Sequence, residues 1–107
     1  MFHCNGWGYP WTLALLNAKV VCCRYIVAKD IYNLIHEHSV THFGGAPIVL
    51  SIIANAKEED KVPIKHKVYA MTAGAPPTSV ILGKMQKLGF EVLHVYGLTE
   101  TLSLIHI

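Results

Sequence analysis

The chain has 107 residues, of which 52% are apolar and only 15% are Asp, Glu, Lys or Arg, where about 25% charged is usual for a soluble domain. That length allows one domain at most, and the apolar content excludes an intrinsically disordered chain, because enough hydrophobic surface is available to offset the entropy of ordering. A body so poor in charge is expected to carry faces meant for another domain, so the chain reads as a piece of something larger. Net charge is +2, from nine basic and seven acidic residues. The basic side chains are scattered, which gives no nucleic-acid footprint.

Met1 to Ala18 lacks formal charge, but His3, Asn5, Pro10, Thr12 and Asn17 interrupt it. Only about half of a bilayer-spanning length is continuously apolar, and neither a basic n-region nor a small-residue cleavage site marks a secretory signal. The segment reads as a buried helix, with strong helix formers from Trp11 to Ala18, and no membrane span is expected. Val20 to Ile26 is a β-branched and aromatic run of strand length. The cysteines, at 4, 22 and 23, are odd in number and have no spacing that closes a tetrahedral metal site, which points to a reducing, intracellular compartment. Cys22 and Cys23 read as inert core residues.

Asp30 can cap a helix through Glu37, with Ile31, Leu34 and Ile35 at the spacing of one buried face. Val40 to Phe43 reads as extended. Gly44-Gly45-Ala46-Pro47 then breaks the strand, and Pro47 stands where a first-turn proline is tolerated before the apolar helix Ile48 to Ala54. The mixed-charge run from Lys57 to Lys61 reads as a solvated loop. After it the same order repeats: a strand from His66 to Thr72, a turn from Ala73 to Pro77, a helix from Ser79 to Leu88 ended by Gly89, and a last strand from Phe90 to Tyr96. Strands alternating with helices of about ten residues predict an α/β fold with a parallel sheet covered on both sides, since parallel neighbours need crossover connections.

In such sheets ligands bind outside the carboxyl ends of the strands. Gly44 to Pro47, Thr72 to Pro76 and Tyr96 to Thr101 each follow a predicted strand, so one sheet edge carries small residues, hydroxyls and a carboxylate. Glycines let backbone approach a flat base or a phosphate closely, threonine hydroxyls donate to phosphate oxygens, and a carboxylate can hold Mg²⁺ by one oxygen.

The run Val95-Tyr96-Gly97-Leu98-Thr99-Glu100-Thr101, preceded by Thr72-Ala73-Gly74-Ala75-Pro76, resembles the adenylate-forming superfamily of acyl-CoA synthetases, luciferases and peptide-synthetase adenylation domains. Phe2 to Trp7, Thr41-His42-Phe43 with Ala46-Pro47, Met71 to Ala75 and Tyr96 to Thr101 stand in the order found in plant acyl-activating enzymes, which the chain resembles most. The resemblance implies that residues 1–101 are an interior part of an AMP-binding domain. It also implies an activity joining a carboxylic acid to ATP as an acyl-adenylate, releasing pyrophosphate, and passing the acyl group to coenzyme A. The expected acid is short- or medium-chain or aromatic; the required small molecules are ATP, Mg²⁺ and coenzyme A. A relative with a non-CoA acceptor is one alternative, and a truncated, non-catalytic remnant that binds a partner is another.

Carried over from the family, Tyr96 would lie against the adenine face with Gly97 in the same nucleotide-binding turn. Thr99 would hydrogen-bond phosphate, and Glu100 would ligate Mg²⁺. Gly74, Ala75 and Pro76 would form a backbone shelf beside adenine and the acyl carboxylate. His3 matches a histidine near that carboxylate, which makes His3, Thr99 and Glu100 the catalytic set. Trp7 matches an aromatic that gates the acyl tunnel, so His3, Trp7 and Gly74 would border the acid. Each residue also has a plain structural reading. Tyr96 can be a strand-end aromatic, Thr99 a helix cap, Glu100 a first-turn helix acid, His3 a buried histidine bonded to backbone and Trp7 a core aromatic. His36 and His38, two apart on a helix, point apart, while His42, His66 and His94 read as structural, hydrogen-bonded strand residues.

Nothing in the sequence matches the family's phosphate loop with its lysine, its ribose-binding aspartate, its hinge or its C-terminal lysine. The phosphate loop supplies many backbone donors, so the chain alone is expected to be inactive. From Leu102 to Ile107 the sequence departs from the family, and LSLIHI is the translation of CTGTCTCTTATACACATC, the end of a transposase-based sequencing adapter. Residues 102–107 are therefore expected to be non-native. A peroxisomal address would lie at the family's C-terminus, so peroxisomal and cytosolic locations both stay open.

Overall fold

Two strand–turn–helix units and a closing strand organise the molecule. The computed structural model describes residues 3–98, 100 and 103–106. Its elements run α1 (His3–Trp7), α2 (Tyr9–Leu15), α3 (Ala28–His38), β1 (His42–Gly44), α4 (Pro47–Ala54), β2 (Val68–Thr72), α5 (Ser79–Lys87), β3 (Phe90–Leu98) and β4 (Ser103–His106). Among the described residues, no helix is long and apolar enough to cross a membrane.

The helix signals act where the sequence places them. Ala46 is extended and Pro47 opens α4, where a missing N–H costs nothing. Thr78 caps α5, its Oγ1 accepting the Ile81 N–H at 3.4 Å, and Gly89 ends that helix at φ 90°. β1, β2 and β3 are parallel neighbours in that order, with Phe43 opposite Ala70 and Ala70 opposite Val92. α4 and α5 pack on one another, so both crossovers pass over the same sheet face. That face supplies Val68, Ala70 and Phe90 to a core completed by Tyr32 and Ile35 of α3, Leu50 and Ile53 of α4, and Met85 of α5. Each such side chain contributes about 1.5–3 kcal/mol by leaving water. Tyr32 and Phe43 both meet the Phe90 ring edge-on, at centroid distances of 6.3 and 6.1 Å. The Tyr32 hydroxyl donates to the Ile53 carbonyl at 3.4 Å. Burial, and secondarily the Glu58 carboxylate, raises its phenol above the ordinary value.

Several expectations need correction. The sheet is covered on one face only: on the other, His42, Tyr69, Glu91 and Leu93 are exposed. There His42 stacks on Tyr69 at 4.9 Å, and Lys67 stands 5.1 Å from the Tyr69 ring centroid while pairing with Glu91. The apolar start is not one buried helix, because left-handed Gly8 separates α1 from α2. α2 buries none of its residues; Trp11 is 59% and Leu15 86% exposed. Val20 to Ile26 forms no strand, and Cys22 and Cys23 are exposed instead of lying in the core. A β-branched run becomes a strand only where a partner offers its backbone groups, and this one has none. Asp30 lies in the first turn of α3, whose cap position belongs to Val27. β4 pairs antiparallel with the end of β3, Val95 opposite His106 and Leu98 opposite Ser103. Backbone pairing of this kind asks little of the sequence beyond extended, β-prone residues.

The exposed sheet face and the exposed Trp11, Leu15, Leu16, Tyr25 and Ile26 leave many large apolar side chains in water, the kind of surface that drives association. The 107-residue chain expressed alone is expected to self-associate and to bind a hydrophobic dye. A monodisperse monomer with a sharp thermal transition, measured by light scattering and calorimetry, would contradict this.

Candidate functional site at the carboxyl edge of the sheet

Because β1, β2 and β3 run parallel, their carboxyl ends open on one edge. The Gly45 N–H donates to the Met71 carbonyl at 3.0 Å, tying the turn after β1 to the end of β2. Thr72, the last residue of β2, lies opposite His94. β3 continues to Leu98, which carries Tyr96 and Gly97 past the end of β2, alongside the turn that begins at Ala73. Gly74, Ala75, Pro76 and Glu100 are exposed, and Tyr96 is 46% exposed. Gly74 has φ 95°, and a Cβ built on it meets nothing within 4 Å. Glycine is therefore required there by the backbone, at a cost of about 1–2 kcal/mol for any other residue, and the space beside it is open. The arrangement gathers Gly74 to Pro76, Tyr96, Gly97 and Glu100 at adjacent strand ends. Thr99 lies outside the described residues.

The α1–α2 junction contributes an aromatic pair to the same edge. His3 has φ 47°, Gly6 72°, Trp7 57° and Gly8 76°. Left-handed backbone suits the glycines, but for Trp7 it costs about 1–2 kcal/mol and persists only where the surroundings hold it. Those surroundings include β1: a Cβ built on Gly44 would lie 3.1 Å from Tyr9 Cε2 and 3.2 Å from Trp7 Cε3. Both rings thus rest over the last residue of β1. Burial raises the Tyr9 phenol above its ordinary value. His3 is exposed at the start of α1. Sequence reasoning placed Gly44 in a turn and passed over Tyr9; only the ring-to-backbone approach marks them.

A cleft of about 860 Å³ lies elsewhere. It runs along the free edge of β1, between residues 18–26, α2 and α3, and touches Tyr9 and Gly44 at one end. None of residues 72–76, 96–98 or 100 lines it. An apolar trough beside an unpaired strand edge is a discontinuity in the fold rather than a nucleotide site, which needs convergent polar groups. Among the described residues, no three His, Cys, Asp or Glu side chains stand close enough to hold a metal ion. A single exposed carboxylate at Glu100 still suits Mg²⁺, which keeps several waters and binds substrate phosphates through one or two carboxylates. His66 has a structural role, its Nε2 lying 2.8 Å from the Val40 carbonyl. Thr72 is fully buried, and its hydroxyl has no hydrogen-bond partner among the described residues, a cost of about 1–3 kcal/mol at the strand end nearest Gly74.

The chain belongs to the AMP-binding enzyme family, whose model matches residues 1–107. It is 50% identical over 102 residues to the peroxisomal acetate/butyrate–CoA ligase of Arabidopsis thaliana, covering 94% of this chain and 18% of that protein. It is 48% identical over 105 residues to the 2-methylpropanoate–CoA ligase of Humulus lupulus, covering 98% of this chain and 18% of that one. The chain thus spans under one fifth of the length of these relatives. The fold matches the N-terminal domain of FACL13 from Mycobacterium tuberculosis, with TM-score 0.84 at 23% identity over 96% of this chain and 26% of that one. It also matches the O-succinylbenzoate CoA synthetase of Bacillus subtilis, in complex with ATP and magnesium, with TM-score 0.75 at 21% identity over 97% of this chain and 22% of that one.

Proposed function

We propose that this chain is the carboxyl-edge segment of an ATP-dependent acid–CoA ligase. The observation that carries this reading is the placement of Gly74, Tyr96 and Glu100 at neighbouring ends of parallel strands in a chain about half identical to plant CoA ligases. In the complete enzyme a carboxylate oxygen attacks the α-phosphorus of ATP and pyrophosphate leaves. The thiol of coenzyme A then attacks the acyl carbon and AMP leaves. Tyr96 offers a ring face to adenine, with Gly97 allowing close approach. Gly74 to Pro76 form the shelf under base and carboxylate, and the open space beside Gly74 is where a flat group fits. His3 serves the acyl carboxylate and Thr99 donates to phosphate. Glu100 would hold Mg²⁺, and the ion would supply shielding of the phosphate charge. The names of the relatives favour a short aliphatic acid over an aromatic one, and the peroxisome is one compartment compatible with them.

The 107-residue chain alone is a second, narrower reading: its bare sheet face and unpaired β1 edge favour a polypeptide that does not turn over. Pyrophosphate release tests both. The purified chain should release none above background in the presence of ATP, Mg²⁺ and butyrate, and measurable turnover would overturn its inactivity. With residues 3–101 grafted into the Arabidopsis ligase in place of its own segment, turnover should return. Glu100→Gln should then lower kcat for adenylation by about a hundredfold, the scale of losing one electrostatic contact to developing charge, with acid binding little changed. Equal loss in both would make the glutamate structural.

We also propose that residues 102–107 are non-native. The hairpin that β4 forms on β3 does not bear on this, since backbone pairing is tolerant of sequence. Resequencing the transcript across the Thr101 codon is expected to give a different continuation; a genomic reading frame encoding LSLIHI would refute the proposal.

A further inference from the structure

We propose that Cys22 and Cys23 form a dithiol site for a trivalent arsenical carrying one organic group, the two sulfurs closing a chelate ring on arsenic. The thiols are neighbours in sequence and both are exposed, on a segment that carries no strand from 21 to 23. In a strand, successive side chains point to opposite faces, which would hold the two sulfurs apart; here no ladder fixes them so. The Cys23 thiol donates to the Tyr25 carbonyl at 3.0 Å, an exposed contact within the same loop. Engaging that sulfur therefore breaks one local bond from a weak donor. Cys23 also stands on the wall of two hollows: the trough beside β1, and a smaller one of about 250 Å³ between residues 23–25 and Asp30, Asn33 and Leu34 of α3. A group attached at this sulfur has apolar room against Val21, Ile26 and Leu34.

The number of donors selects the class of ligand. Among the described residues, no group of three His, Cys, Asp or Glu side chains could hold a metal ion, so a centre that asks for four ligands, as Zn²⁺ does, is not served. A direct S–S bond is poorly served as well. Neighbouring Cα atoms stand about 3.8 Å apart across a trans peptide, shorter than the roughly 4.4–6.8 Å that ordinary disulfides span. An atom inserted between the sulfurs lengthens their separation and relieves that strain. Arsenic(III) bearing one organic group has two exchangeable positions, which two thiols fill. With phenylarsine oxide, two S–H bonds and the bonding of arsenic to its oxygen break, two As–S bonds form, and the oxygen leaves with both protons as one water. Arsenic stays trivalent, so the step consumes no oxidant or reductant.

The test adds phenylarsine oxide to the 107-residue chain, reduced with a phosphine, and follows the adduct by intact mass spectrometry. One arsenical per chain should be gained with the loss of one water. Displacing it should need about a hundredfold more glutathione than displacing the adduct of Cys22→Ser or Cys23→Ser, the advantage of two linked contacts over one. Cys4→Ser should behave as the unchanged chain. Equal glutathione requirements for the unchanged chain and the two single variants would overturn the chelate. Loss of the retained adduct in Cys4→Ser, or an adduct of two chains on one arsenic, would overturn the pairing of Cys22 with Cys23. A further readout does not depend on whether the variants fold. The unchanged chain should react as fast in buffer as in urea, because exposed thiols do not wait for a local opening. A slow reaction in buffer that urea accelerates would overturn the accessibility on which the site rests.

Discussion

The parallel pairing of β1, β2 and β3 is the constraint on which the candidate site depends. A parallel ladder sends every strand toward the same edge, and each crossover must leave from that edge. The turns after Gly44 and Thr72 therefore leave the same edge although they lie far apart in sequence. The register then sets their heights. Thr72 opposite His94 lets β3 outrun β2, so the aromatic Tyr96 rises beside the glycine turn instead of being buried beneath it. A shift of one residue would turn the faces of β3 over and carry Tyr96 to the other side of the sheet.

The site's edge is less relaxed than the layer that supports it. The core of α3, α4, α5 and the covered sheet face is built of ordinary apolar contacts, with caps and terminators where the helices need them. At the edge, Trp7 accepts left-handed backbone, Thr72 buries an unpaired hydroxyl, and Gly74 adopts a conformation other residues resist. Such departures from local preference are maintained against their cost by the surrounding packing; left-handed backbone also occurs away from this edge, at Asn17 and at Ser39 after α3.

The uncovered sheet face and the trough along β1 have a single physical origin. Both crossovers in this chain pass on the same side, so the other face carries no crossover helix, although the Trp7 and Tyr9 rings lie over it at Gly44. The α2 region and residues 18–26 present apolar side chains without burying them. A parallel sheet covered on both faces draws its layers from separate crossover connections, and the two present here lie together.

The helices α4 and α5, their turns and the strands they connect were legible from Pro47, Thr78, Gly89 and the alternating apolar runs, because caps, breakers and periodicity are short-range signals. Family resemblance likewise pointed to Tyr96, Glu100 and Gly74 from local motifs. Local signals failed at Val20 to Ile26 and at the uncharged start, since strand formation and burial depend on a partner that composition does not reveal. Only the tertiary structure decided which sheet face was bare, where the cysteines lay, and that Gly44 faced two aromatic rings from a segment more than thirty residues away. Such an approach is a relation between distant backbones, and no property of either segment alone encodes it.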